Sequence, residues 1–218
     1  MTRKNKYIQL YISVGLLIVF ALWTLSVRLI DVQPVGPHGS AVGFAAVNCF
    51  FHDLTGVHMA LYTITDWLGL VPFAFAAGFA FLGFAQWIER KKLLKVDRSI
   101  LLLGGFYVAV IAVYVFFENC VVNYRPLLIA GVLEVSYPSS TTLLTMCVMP
   151  TAVMQLNGRI RNEILRRCAV FAITAFTGFM VIGRMISGVH WFTDIVGGVL
   201  LSAGLVLLYR ALSISDGK

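Results

Sequence analysis

GRMISGVHWFTD, residues 183 to 194, sets an arginine, a histidine six residues later and an aspartate four residues after that between two long apolar runs. Ionisable groups at membrane depth are costly and those that persist there mark function. The stretch therefore carries two expectations. The flanking runs cross a bilayer, and Arg184, His190 and Asp194 belong to an active centre.

The composition agrees with the first expectation. The chain has 218 residues, 59% hydrophobic and 12% charged, whereas soluble domains carry about 25% charged residues. Apolar runs long enough for a bilayer fall at about 8–28, 67–88, 99–117, 139–156, 167–184 and 191–209. The predicted fold is all-α, a polytopic bundle of six transmembrane helices. It forms a single integral-membrane domain over residues 1–218, with a core at about 60–210. The first run follows MTRKNK but is too long for a signal-peptide core and lacks a clean cleavage site; it reads as an uncleaved first helix.

Basic residues set the orientation. Arg3, Lys4 and Lys6, the cluster Arg90, Lys91, Lys92, Lys95 and Arg98, the cluster Arg159, Arg161, Arg166 and Arg167, and finally Arg210 and Lys218 place fourteen of the seventeen lysines and arginines on one side of a six-span arrangement. The positive-inside rule makes that side cytoplasmic, with both termini in. The net charge of +7 comes from these short connectors rather than from a basic face on a soluble domain, so nucleic acid is excluded as a partner. Membrane lipids are the expected surroundings.

The outer segment, about 31–66, opens with the Pro/Gly-rich DVQPVGPHGS. It continues into a stretch where Phe44, Val47, Phe51 and Leu54 recur at helical spacing. This predicts an interfacial amphipathic helix that packs across the outer ends of the spans or forms a lid. His38, His52, Asp53 and His58 lack metal-ligand spacing, and so do Cys49, Cys120, Cys147 and Cys168; no metal is expected. The sequence leaves open whether Cys49 and Cys120 pair. Asp66 is expected to cap the start of span two, and Pro72 to loosen its outer end.

On the outer side, Arg125 follows span three in NYRPLL and SYPSSTTLL opens span four. Arg184, His190 and Asp194 lie between spans five and six. Pro138 followed by Ser139, Ser140 and Thr141 starts a helix whose free N–H groups and dipole favour an anion. Arginine forks clamp phosphate oxygens. His190 and Asp194, four apart, share a helix face, so the carboxylate is expected to orient the imidazole and leave its other nitrogen as nucleophile or base.

In the order Arg-Pro, Pro-Ser-x-x and Arg-x5-His-x3-Asp across six spans, the chain resembles the type 2 phosphatidic acid phosphatase superfamily of membrane lipid phosphatases. The third motif is the most specific part. The resemblance implies that His190 attacks phosphorus to form a phosphohistidine with Asp194 orienting it. It also implies that Arg125 and Arg184 hold the phosphoryl oxygens and that Ser139 and the Ser140 amide complete the cradle. The substrate implied is a lipid phosphate, with no metal and no cofactor.

Three positions depart from that pattern. Glu118 stands where the first motif carries lysine, Gly183 where the third carries serine, and Thr141 where the second carries the histidine that protonates the leaving group. Threonine cannot supply that proton near neutrality. Either Glu118 or Glu134 substitutes, or the leaving group needs no acid. Phosphate leaving from a diphosphate has a conjugate pKa of about 6, which points to a polyprenyl diphosphate such as undecaprenyl diphosphate, met at the outer face of a bacterial cytoplasmic membrane. The alternatives are a phosphatidic acid or phosphatidylglycerophosphate phosphatase, and a non-catalytic lipid-phosphate binder or transport-related protein on the same scaffold. The oligomeric state is not legible.

Overall fold

A computed structural model describes residues 3–214; Lys218 lies outside the described residues. The regular structure among these residues is helical, with isolated β-bridges and no named strand. The helices are α1 (Arg3–Leu29), α2 (Ala45–Thr55), α3 (Met59–Leu68), α4 (Leu70–Arg90), α5 (Arg98–Asn119), α6 (Ser140–Arg159), α7 (Glu163–Ile186) and α8 (Phe192–Ser213).

Among the described residues, five helical stretches are long and apolar enough to cross a membrane: Lys4–Leu29, Met59–Arg90, Arg98–Asn119, Glu163–Ile186 and Phe192–Ser213. The fourth expected span, 139–156, corresponds to α6, which falls short of that apolarity. Its polar residues explain this: Thr142, Thr145, Thr151 and Gln155 are all buried. Helix α6 packs among α4, α5, α7 and α8, so its polar groups meet protein rather than lipid. Gln155 Nε2 donates to the Tyr209 hydroxyl at 2.6 Å and to the Ser99 carbonyl at 3.2 Å.

The exterior of the bundle is apolar. Tyr11, Phe81 and Phe171 are each more than 70% exposed, a pattern that lipid stabilises and water does not. Helix α1 lies along α8, where Ser13 Oγ donates to the Gly204 carbonyl at 2.8 Å. A side chain at Gly204 would meet Leu17 at 2.8 Å, so the close approach depends on that glycine. Near the site, Phe20 and Phe117 pack around Tyr137, whose hydroxyl bonds Thr24 Oγ1 at 2.7 Å.

The second crossing begins eight residues earlier than the apolar run, at Met59 rather than 67. Helices α3 and α4 meet at Gly69, which keeps right-handed helical angles (φ −58°, ψ −18°). The division falls there because Pro72 has no N–H to donate to the Leu68 carbonyl. Asp66 is therefore inside a helix rather than capping its start, which corrects the sequence-based expectation. Its partner is described below.

Between α1 and α3, α2 buries Ala45 and Asn48 and exposes Val47, Phe50 and Leu54. Asn48 faces inward because it fastens the start of α8: its Nδ2 donates to Thr193 Oγ1 at 3.0 Å and its Oδ1 accepts from Thr193 N–H at 3.1 Å. The four cysteines are free thiols.

Candidate active site

The turn between α7 and α8 presents His190. Gly188 has φ +69°, and a Cβ there would come 2.1 Å from the Gly56 carbonyl oxygen, so no other residue fits without displacing the 56–58 strand of chain. The same contact is secured by His58 N–H donating to the Ser187 carbonyl at 3.0 Å. Trp191 then caps α8, its N–H donating to Asp194 Oδ2 at 2.9 Å, while its indole Nε1 donates to the Tyr124 carbonyl at 2.8 Å. That indole bond ties the histidine turn to the loop that carries Arg125.

Arg125 lies between α5 and α6 on a loop folded back on itself by the Tyr124 and Val135 bridge and by Arg125 N–H donating to the Glu134 carbonyl at 3.0 Å. Its Nη1 is 3.4 Å from His190 Nε2 and 3.5 Å from the Val189 carbonyl, and its Nε is 2.9 Å from Glu134 Oε2. Glu134 is half-exposed at the rim.

Asp194 is fully buried, and its Oδ2 is 3.8 Å from His190 Nδ1. That is an electrostatic approach rather than a hydrogen bond. The carboxylate serves its own helix end through Trp191 and accepts from Asn123 Nδ2 at 3.2 Å on Oδ1. Burial pushes the His190 imidazole down to about 4; the Asp194 carboxylate opposes the shift, and the two guanidinium groups add to it. The ring is therefore neutral at ordinary pH, with a lone pair available on the nitrogen that faces Arg125.

Arg184, near the end of α7, is almost wholly buried. Its Nη2 donates to Asp66 Oδ1 at 2.9 Å and to Thr141 Oγ1 at 2.6 Å, while its Nε and Nη1 have no partner among the described residues. The Tyr62 ring stacks beneath both arginines, 4.9 Å from the Arg184 guanidinium carbon and 5.9 Å from that of Arg125. Gly183 permits this seating, since a Cβ there would meet Thr65 Cγ2 at 2.9 Å. The serine that the resembled pattern carries would crowd α3.

Ser139 is fully buried. Its side chain caps α6 by accepting from Thr142 N–H at 3.5 Å, and its own N–H donates to the Asp194 carbonyl at 3.1 Å. The first-turn N–H groups of Ser140 and Thr141 remain as the donors at the helix start. Glu118 ends up in the last turn of α5, where it lines a small cavity with Ser140 and Tyr137. Among the described residues it makes no ion pair with either arginine. A larger cavity of about 390 Å³ joins Asp66, Ser140 and Thr141 to Phe73, Ile111 and Leu144.

Arg125, Arg184, His190, Asp194 and Thr141 are thus gathered at one end of the bundle. Tyr62 and Asn123, which were missed in the sequence, join them, as does Asp66, which was read there as a helix cap. The spacing of Tyr62, Thr65 and Asp66, on one helical face, is the signal that locates two of these once the helix is known to reach that far. Chemically, two guanidinium groups and a helix N-terminus can hold an anion against a neutral imidazole.

Comparison with known proteins bears on this arrangement. A family model described as the PAP2 superfamily matches residues 106–214, half of the chain. A crystal structure described as the first transmembrane PAP2-type phosphatidylglycerolphosphate phosphatase from Bacillus subtilis shares the fold. It has a TM-score of 0.59 at 17% identity, covering 92% of this chain and 94% of that one. No curated protein matches.

Proposed function

The chain belongs to the PAP2 superfamily, and on that premise we propose that this integral membrane protein hydrolyses a lipid phosphate through a phosphohistidine on His190. The observation that carries the reading is the pair of unpartnered donors on Arg184, buried in the same cluster as Arg125 and His190.

In the proposed reaction, His190 Nε2 attacks phosphorus as the bond to the lipid oxygen breaks. Arg125, Arg184 and the Ser140 and Thr141 amides hold the non-bridging oxygens. The ring becomes cationic on phosphorylation and Asp194, at 3.8 Å, stabilises that charge. Water then attacks the phosphohistidine, gives up a proton, and releases inorganic phosphate with the imidazole restored.

The proposed substrate is a polyprenyl diphosphate such as undecaprenyl diphosphate. Thr141 supports this, because its hydroxyl accepts from Arg184 and supplies no strong acid. A lipid monophosphate leaving group, with a pKa of about 6, needs none. The cavity running from Ser140 and Thr141 to Phe73, Ile111 and Leu144 suits an apolar chain. Glu134 and Glu118 remain the candidates for a proton donor with poorer leaving groups. A second reading, a glycerolipid monophosphatase, is favoured by the likeness to the Bacillus subtilis structure.

In the proposed topology α6 is a sixth crossing. Its 20 residues span about 30 Å at 1.5 Å each, and its neighbours shield its polar groups from lipid. Both termini then face the cytoplasm, the site faces outward, and α2 lies at the outer surface with Phe50 and Leu54 towards lipid.

Phosphate release from a panel of undecaprenyl diphosphate, phosphatidylglycerophosphate and phosphatidic acid tests the reading. Wild type is expected to prefer the diphosphate, with His190→Ala inactive. Preference for a glycerolipid monoester would establish the second reading. No release from any of them would leave a lipid-phosphate binder.

A further inference from the structure

Resting on the phosphate-site reading, we infer that Asp66 is a positioning residue, the fixed counter-charge that aims Arg184 at the phosphoryl group. Asp66 lies on α3, in the N-terminal half of the chain and outside residues 106–214 that the family model matches.

Arginine carries a long stem with many rotamers, and its fork recognises phosphate only when held. Buried guanidinium is also poorly tolerated without a counter-charge. Here one nitrogen, Nη2, takes both anchors: Asp66 Oδ1 at 2.9 Å and Thr141 Oγ1 at 2.6 Å, on two different helices. The Tyr62 ring at 4.9 Å fixes the guanidinium plane from one side. With Nη2 occupied, Nε and Nη1 are the donors left for an anion. The geometry thus divides Arg184 into an anchored nitrogen and two presenting ones, and Asp66 supplies the only charged part of the anchor among the described residues.

The helix that carries Asp66 is itself set against α7. Thr65, one residue earlier, meets the space at Gly183 that a side chain would fill, with Cγ2 2.9 Å from the position of a Cβ. Tyr62, Thr65 and Asp66 are spaced i, i+3 and i+4, so one face of α3 carries the ring, the steric contact and the carboxylate together. A shift of α3 would therefore move all three relative to Arg184.

The test is a double-mutant cycle on the full chain in lipid nanodiscs, reading orthovanadate affinity by calorimetry and KM and kcat where turnover is measurable. Asp66→Ala is expected to weaken orthovanadate binding and raise KM about 10-fold, with kcat changed much less. Asp66→Asn, which keeps an acceptor for Nη2 but not the charge, is expected to show an intermediate loss of about threefold. In an Arg184→Ala background, Asp66→Ala is expected to change affinity less than twofold. Tighter or unchanged binding in either Asp66 variant, or the same loss with and without Arg184, would overturn the inference. Should Asp66→Ala not fold, Asp66→Asn and its cycle with Arg184→Ala decide alone. Orthovanadate binding that obeys the cycle in a chain without turnover would retain this inference while the proposed hydrolysis failed; turnover indifferent to Asp66 would do the reverse.

Discussion

Arg125 Nη1 lies 3.4 Å from His190 Nε2 although 65 residues separate them in the chain. The contact depends on the Trp191 indole, which holds the histidine turn to the Tyr124 carbonyl. It points one guanidinium at the nitrogen from which a phosphoryl bond would form.

Replacing Arg125 by lysine removes the planar fork while keeping the charge. The expected loss in kcat/KM is about 100-fold, with the thermal midpoint nearly unchanged. A loss below threefold in a kinetic assay would mean that Arg125 does not meet the phosphoryl oxygens.

The His190 pKa, held down to about 4 by burial, has a sign that can be checked. Between that value and the ordinary 6.5 the unfolded chain binds a proton that the folded one does not. Stability is therefore present above about pH 6.5 and lost as pH falls towards 4. Thermal melts of wild type and His190→Gln over that window should show the wild type losing more, and the acid limb of kcat/KM should fall near 4 rather than 6.5. A histidine resonance titrating at 6.5 and assigned to His190 would contradict this.

Glu134 approaches the Arg125 Nε at 2.9 Å from the half-exposed rim, so a phosphate oxygen must compete with its carboxylate. Glu134→Gln is expected to lower KM by about two- to fivefold, the modest effect of a partly exposed ion pair, and to leave the pH-rate profile unchanged. A lost limb in that profile would instead identify Glu134 as the proton donor.

Much of the site was legible because membrane-depth charge is rare. Arg125, Arg184 and His190 stood out against apolar runs, and the run lengths placed them at one end of the bundle. Asp66 was misread because hydropathy reports where a helix is apolar, not where it ends; the second candidate span begins already at Met59 and carries Tyr62 and Asp66 with it. Asn48 on α2 and Asn123 in the loop after α5 act as single polar anchors, without a period that could reveal them. Asp194 was expected to bond His190, yet a carboxylate three residues into a helix also satisfies that helix's N-terminal N–H groups, and here the Trp191 N–H takes it. Helix α6 falls within the expected run 139–156, yet it is less apolar than the other long helices because its neighbours enclose it and bury Thr142, Thr145, Thr151 and Gln155.

The most direct test is a denaturing quench at alkaline pH of the lipid-embedded protein during turnover of a lipid substrate radiolabelled in its terminal phosphate. Label is expected on the protein, stable in alkali and lost in acid, mapping to the peptide that contains His190 and absent from His190→Ala. Unlabelled protein releasing phosphate at full rate, or a variant without that imidazole that still turns over, would contradict the account.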